Sequence, residues 1–502
     1  MILKLNHVKS EAAGVTQEVT TALYSLMEEG QISEDQFGRL RVRLDWIQYQ
    51  HNFRDAVAGA AVDQEPGDSA AAVANQAADS PSRADDINVD LYIDARQIAP
   101  GSATLKADLL AAVKRASRPA GASAEDDRFY LEEFKTFRQS IAWNFNSLYW
   151  RRLDDWERST GRSYETALPG GQSDGNLPEA IADSVADFWT LLQDLEKKKQ
   201  LPAEVFMLEI GVGSGLRCGR WLDRFKVLDQ HRGTNFYPKL RVLLGDYSLA
   251  TLDMSRPNVK QHIDLCSFMV LDAMNPLKTL AFLRHKVMYV QTTNMYDNLP
   301  DEEILRRDGH FYLVQSRSYL PGETLQRLCT DYGQTRDTIQ PTLERMLEGR
   351  KDFLGDSARG MTFWKAVWAA LRVEERLVRF ENLPDSPLPA GLDIVMLEDI
   401  LKGTPDDLRF HLNSGALESF INTLPLLHSR GYLQVQDIFV TNLKAYSMGF
   451  YGPGKLDGSV VNWVNGALMK GVAEKVGYDV HFAPFRYRKG SKTSILYTTP
   501  RE

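Results

Sequence analysis

The sequence predicts an α/β protein built on a doubly wound, mainly parallel sheet, with a helical extension before it and a helical insertion within it. Three observations carry that reading. Residues 204–293 alternate short apolar runs with helical patterns, the rhythm of βαβ units. Gly211, Gly213 and Gly215 fall where the first predicted strand turns into a helix, the place where an open α/β sheet admits a ligand. The alternation breaks off near residue 321 and resumes after 410.

Taken in order, residues 1–55 read as two helices. Leu23, Leu26 and Met27 follow helical spacing up to Gly30, and Ser33 with Gln36 forms a capping box opening a run through Leu40, Val42, Leu44, Trp46 and Ile47. Residues 56–127 read as a largely flexible linker, rich in Ala, Asp, Ser and Pro, with a short strand at 89–93. Residues 128–200 form a helical lead-in, with amphipathic patterns at 134–156 and 177–198 separated by the glycine-rich string ALPGGQSDGN. Residues 201–320 make the first part of the sheet, with strands at 205–210, 240–244, 268–271 and 287–291. Residues 321–410 are mostly helical, including 363–378, and read as a lid or recognition surface. Residues 411–502 complete the sheet: helix 416–428, strand 432–439, helix 460–476, and strands near 478–482 and 494–498. Trp364 and Trp368, four apart, read as packing of the insertion.

Composition narrows the function. The 502 residues carry 59 Lys and Arg against 67 Asp and Glu, a net charge of -8, which argues against nucleic acid as the main partner. Cys218, Cys266 and Cys329 are far apart and offer neither a disulfide framework nor a zinc site, and the histidines show no metal spacing. No stretch reaches the ~20 apolar residues of a membrane span and no signal-peptide pattern opens the chain, so a cytoplasmic protein is expected.

The string Leu208-Glu209-Ile210-Gly211-Val212-Gly213-Ser214-Gly215 departs from the dinucleotide fingerprint. Its glycines are spaced G-x-G-x-G. The next acid at a strand end, Asp246, lies 31 residues beyond Gly215, where dinucleotide folds put theirs at roughly 20. E-x-G-x-G-x-G instead resembles motif I of class I S-adenosylmethionine-dependent methyltransferases, a Rossmann-like fold. The resemblance implies S-adenosyl-L-methionine as cofactor. Glu209 would lie near its ammonium, Gly211, Gly213 and Gly215 would cradle it, and Asp246 and Ser248 would meet the ribose. Asp272 and Ala273, closing the third strand, would meet the adenine.

After the fourth strand come Thr293-Asn294-Met295-Tyr296-Asp297-Asn298-Leu299-Pro300 and a hairpin turn at Asp308-Gly309. Together these resemble the MidA-like methyltransferases, over about residues 175–480 and weakly from 130. That family has an Asn-Glu pair aligned with Thr293-Asn294, so its acid is absent here, and an Asn cannot act as a general base. The family includes an arginine methyltransferase that assists respiratory-complex assembly, and the absent acid separates this chain from that activity. The resemblance makes Asp297 the first candidate for acceptor binding or proton removal, with Asn294 and Tyr296 orienting the acceptor. Asp437 at the end of the fifth strand and His310 in the hairpin are further candidates.

In-line transfer of a methyl group to a protein side chain or small molecule is therefore the first functional expectation. A non-catalytic, cofactor-binding assembly factor of the same fold is the second, and a nucleotide-dependent enzyme of different chemistry the third.

Overall fold

The computed structural model describes residues 1–6, 13–45, 52–63, 88–118, 127–168, 170–450 and 452–501. Its centre is a seven-stranded sheet. The strands are β1 (Val205–Ile210), β2 (Leu240–Asp246), β3 (Cys266–Val270), β4 (Val287–Thr293), β5 (Leu427–Asp437), β6 (Tyr478–Pro484) and β7 (Ser494–Pro500). Their spatial order is β3-β2-β1-β4-β5-β7-β6. The first five run parallel. β7 is inserted antiparallel between β5 and β6. The order reverses beside β1, which opens a crevice past the carboxyl ends of β1 and β4.

Both faces of this sheet are covered, and the strands show it in their residues. Leu208, Leu243, Val290 and Leu433 pack against helices Ser414–Thr423 and Gly466–Lys475 through Leu417, Phe420 and Leu468. Met207, Val242, Leu244 and Tyr289 face the other way, towards α1 (Pro178–Lys197) and α2 (Leu216–Arg232) through Phe188, Trp221 and Phe225. Each such side chain stabilises by roughly 1.5–3 kcal/mol relative to exposure.

The rest of the chain departs from the helical expectation. A second sheet, of ten strands among the described residues, draws together the N-terminal region and the insertion. Its main path runs Ile2–Asn6, Arg41–Asp45, Asn88–Asp94, Val57–Val62, Arg372–Arg379, His310–Pro321, Glu303–Arg307, Leu408–His411. Residues 41–45 are thus a strand where a second helix was predicted. Leu40, Val42 and Leu44 are spaced by two, the period of a strand. The predicted linker contains strand Val57–Val62 and helix Leu105–Ala116, while its residues 64–87 and 119–126 lie outside the described residues. The predicted helix 363–378 is split: helix Ser357–Ala370 gives way to strand Arg372–Arg379. Trp364 and Trp368 are buried in an aromatic cluster with Phe145 and Trp156.

Ions hold the curled second sheet. Lys4 and Arg43, from its first two strands, both pair with Asp407, which adjoins the last. Arg307 bridges Asp90 (2.7 Å) and Asp407 (3.3 Å). Arg409 meets Glu303 at 2.6 Å and Glu375 at 3.0 Å, and Arg54 meets the same two acids. No helix among the described residues is long and apolar enough to cross a membrane.

Candidate functional site

The glycine turn closes β1 and opens α2. Gly211, Gly213 and Gly215 all take positive φ, at 75°, 53° and 73°, a region open to glycine at little cost. A side chain at Gly213 would meet no atom within 4 Å, so open space lies above this residue. The turn is held from the next strand. Gly213 N donates to Asp246 Oδ2 at 3.3 Å, and Ser248 N donates to Asp246 Oδ1 at 3.1 Å. Each carboxylate oxygen keeps a lone pair for a further donor. Burial raises the proton affinity of Asp246, and these amides oppose the rise.

Beside Asp246 the surface is apolar. Tyr247, directly after the strand, is 55% exposed, and Val270, the partner of Asp246 across the β2–β3 ladder, is also 55% exposed. Exposed aromatic and aliphatic groups beside a carboxylate suit the flat face of a heterocycle. Sequence reasoning did not single out these two; the signal available was Tyr247 directly after the strand-end acid. Asp272 is exposed just past β3, with its carboxylate accepting from Met274 N at 2.9 Å, and Ala273 is half-buried against the core.

Other expected residues are occupied elsewhere. Glu209 is only 9% exposed and lies 3.5 Å from Arg217, in the first turn of α2. Burial raises its proton affinity against the pull of that guanidinium. Ser248 caps helix Leu249–Ser255, accepting from Thr251 N at 3.3 Å. Tyr296 is 1% exposed in the core between the two sheets' elements, which takes its ring out of reach of an acceptor. His310 sits in the hairpin of the second sheet beside Glu381, away from the strand ends of the first.

The corner after β4 is built around Asp437. This carboxylate, at the end of β5 and 0% exposed, accepts from Tyr296 N at 2.9 Å, Asp297 N at 3.3 Å and Ile438 N at 2.8 Å. Met295 N also faces it. Asp297 is buried next to it, accepting from Asn298 Nδ2 at 2.6 Å. Burial, and for Asp297 also the neighbouring Asp437, raises the proton affinity of both. Among the described residues neither forms an ion pair with a cation. Asp437 faces four amide donors that favour its charge, and Asp297 has its raised proton affinity from burial and from Asp437 itself. Tyr164, half-buried, adjoins both through Asn298. Asn294 takes positive φ (48°), and its Nδ2 donates to Ser173 Oγ at 3.3 Å.

The glycine-rich string after Tyr164–Ala167 crosses this end of the sheet. Gly175 lies so close to Thr293 and Gln436 that a Cβ there would come within 2.9–3.1 Å of their side chains. Asp174 is fastened to Arg488 (2.8 Å) and Ser491 (2.5 Å) from the β6–β7 connection. Glu165 accepts from Asn176 Nδ2 at 2.9 Å and from Ser214 Oγ, in the glycine turn, at 3.4 Å. Nothing in local sequence spacing signals that Glu165 reaches the turn, because the contact spans 49 residues.

Two cavities lie away from this crevice. One of about 20 Å³ is lined by Asp301, Glu303, Ser316 and Glu375. A groove of about 720 Å³ runs between helices Ile141–Arg151 and Arg336–Leu347. The glycine turn, with the apolar and acidic residues beside it, is the better candidate on chemical grounds. Among the described residues no cluster of His, Cys, Asp and Glu has the arrangement to hold a metal ion.

No protein-family model matches the chain, and no curated protein matches it in sequence. Among solved structures, it is similar to a Burkholderia thailandensis protein bound to S-adenosyl-homocysteine, with a TM-score of 0.40 at 11% identity over 72% of this chain and 91% of that one. It is also similar to an uncharacterized protein from Burkholderia thailandensis (TM-score 0.39, 10% identity, 72% and 91% covered). A third likeness is to DszA carbon methyltransferase (TM-score 0.30, 13% identity, 97% and 90% covered). These likenesses are too distant to bear on individual residues.

Proposed function

We propose that this chain binds S-adenosyl-L-methionine over the glycine turn and transfers its methyl group to a protein side chain or small molecule. The observation that carries the reading is the open space above Gly213, whose amide is held by Asp246, with Tyr247 and Val270 exposed at the end of the two strands that follow. The seven-stranded order, with its reversed β7, agrees with the class I methyltransferase sheet that the motif implies.

The residues fit the cofactor's parts. Asp246 has acceptor capacity for two ribose hydroxyls. Tyr247 and Val270 offer an apolar wall for the base, and Asp272 an acceptor at its edge. When bound, the cofactor supplies a methyl group already activated by a positive sulfur. The chain's task is then alignment and exclusion of water. Glycine-turn amides and Asp246 hold the nucleoside, and the Gly175 string covers the crevice beside β4 and β5. Burial and the neighbouring Asp437 favour the protonated form of Asp297, which suits it to orient an acceptor through hydrogen bonds. An acceptor nitrogen or sulfur that is nucleophilic unaided fits this corner.

The decisive experiment is titration calorimetry with S-adenosyl-L-methionine, S-adenosyl-homocysteine and NAD. Binding of the first two without the third is expected. Gly213→Trp, filling the open space, is expected to abolish that binding, and NAD binding alone would overturn the reading.

A second reading, a cofactor-binding factor without transfer, is favoured by one feature: Asn294 stands where the family's acid would be and spends its amide on Ser173. Labelled cofactor incubated with host lysate separates the two. Transfer to any component supports the enzyme, and no transfer with intact binding supports the factor.

A further inference from the structure

We propose that Glu165 receives the ammonium of the bound cofactor's amino-acid end, in place of the motif acid Glu209; the proposal rests on the methyl-donor reading above. The motif acid is already answered from within the fold. Glu209 is buried, and Arg217, 3.5 Å away, is itself buried and donates to Tyr289 Oη at 3.2 Å. An incoming ammonium at Glu209 would have to compete with a guanidinium that cannot leave without exposing a buried charge.

Glu165 is the carboxylate that stands free at the turn. It is half-buried, and among the described residues it forms no ion pair. Its two oxygens accept only from neutral donors, Ser214 Oγ and Asn176 Nδ2, and each retains a lone pair. Ser214 lies between Gly213 and Gly215, so the carboxylate is tied to the glycine turn itself. The opposite charge is close by. Arg220 in α2 is exposed and holds the same string through Asn176 O at 3.2 Å. Glu165 and Arg220 therefore present an acid and a base to one end of the crevice, complementary to the ammonium and carboxylate of an amino acid. Charge-assisted hydrogen bonds of this type are about twice as strong as neutral ones.

A plain structural role for Glu165, stapling Asn176 to the turn, makes a different prediction. Glu165→Gln keeps an acceptor and removes only the charge. Calorimetry would compare S-adenosyl-homocysteine with 5′-methylthioadenosine, which shares its nucleoside thioether and lacks the amino-acid end. The expected result is about tenfold weaker binding of S-adenosyl-homocysteine by Glu165→Gln, with 5′-methylthioadenosine unchanged within about twofold. Arg220→Gln is expected to act in the same direction. Unchanged binding of S-adenosyl-homocysteine, or equal weakening of both ligands, overturns the assignment while leaving the methyl-donor reading intact. A wild-type protein that binds neither ligand overturns both.

Discussion

Glu303 and Asp437 are both shut away from solvent, yet their proton affinities move in opposite directions. Burial alone would raise that of Glu303, but the guanidiniums of Arg409 and Arg54 outweigh it and bring its pKa down to about 2. Asp407 in the same sheet, partly buried, is likewise held well below the ordinary range by Arg43, Arg307 and Lys4. Asp437 has only neutral amide donors, and burial prevails, raising its pKa to about 7. The comparison separates two uses of a buried acid. In the second sheet acids are paired with cations and serve as fasteners. After β4, Asp297 and Asp437 form no ion pair among the described residues and shape a polar corner.

The largest test of this contrast is Arg409→Leu, which leaves Arg54 alone to face both Glu303 and Glu375. A loss of about 3–5 kcal/mol in urea unfolding is expected, and a loss under about 1 kcal/mol would erase the distinction. Next in size is Asp437→Asn at pH 7. An amide there turns one accepting oxygen into a donor facing backbone N–H groups, at a cost of about 1–3 kcal/mol.

The two acids also give opposite slopes with pH. Glu303 titrates lower when folded, so its contribution is complete above pH 4.5 and drains away as pH falls towards 2. Asp437 titrates higher when folded, so its contribution is greatest below pH 3.8 and declines as pH rises towards 7. Unfolding midpoints of wild type and Glu303→Gln across pH 2–5 are expected to diverge most at the upper end. Those of Asp437→Asn are expected to lack the decline between pH 4 and 7. The smallest effect belongs to Asp297→Asn. The amide resembles the protonated carboxyl that burial favours and still accepts from Asn298, so stability is expected to stay within about 1 kcal/mol.

The same contrast explains what could be read from sequence. The inner strands of the first sheet are buried on both faces, and 205–210 and 287–290 stand out as mostly apolar runs. Its glycine turn and the acid ending β2 are local features, legible without coordinates. The second sheet hides its strands behind charge. Arg372–Arg379 reads Arg-Val-Glu-Glu-Arg-Leu-Val-Arg, and Glu374 and Glu375 within it are buried beside arginines distant in sequence. Likewise Arg43 and Asp45 are buried in Arg41–Asp45. No hydrophobic pattern reveals residues whose burial depends on partners tens to hundreds of positions away. Site residues divide the same way. Asp246 and the glycines follow from neighbours in the chain, whereas the closure of Glu209 by Arg217, the burial of Tyr296 and the arrival of Glu165 follow from packing.

One feature of the second sheet reaches further. Its first strand and its last share no ladder of main-chain bonds among the described residues, and the gap is spanned by Lys4, Arg43 and Arg307 converging on Asp407. A seam fastened by side chains alone parts without breaking any backbone pairing. Protonating one carboxylate releases three cations at once, so acid acts on this half of the molecule as a key acts on a clasp.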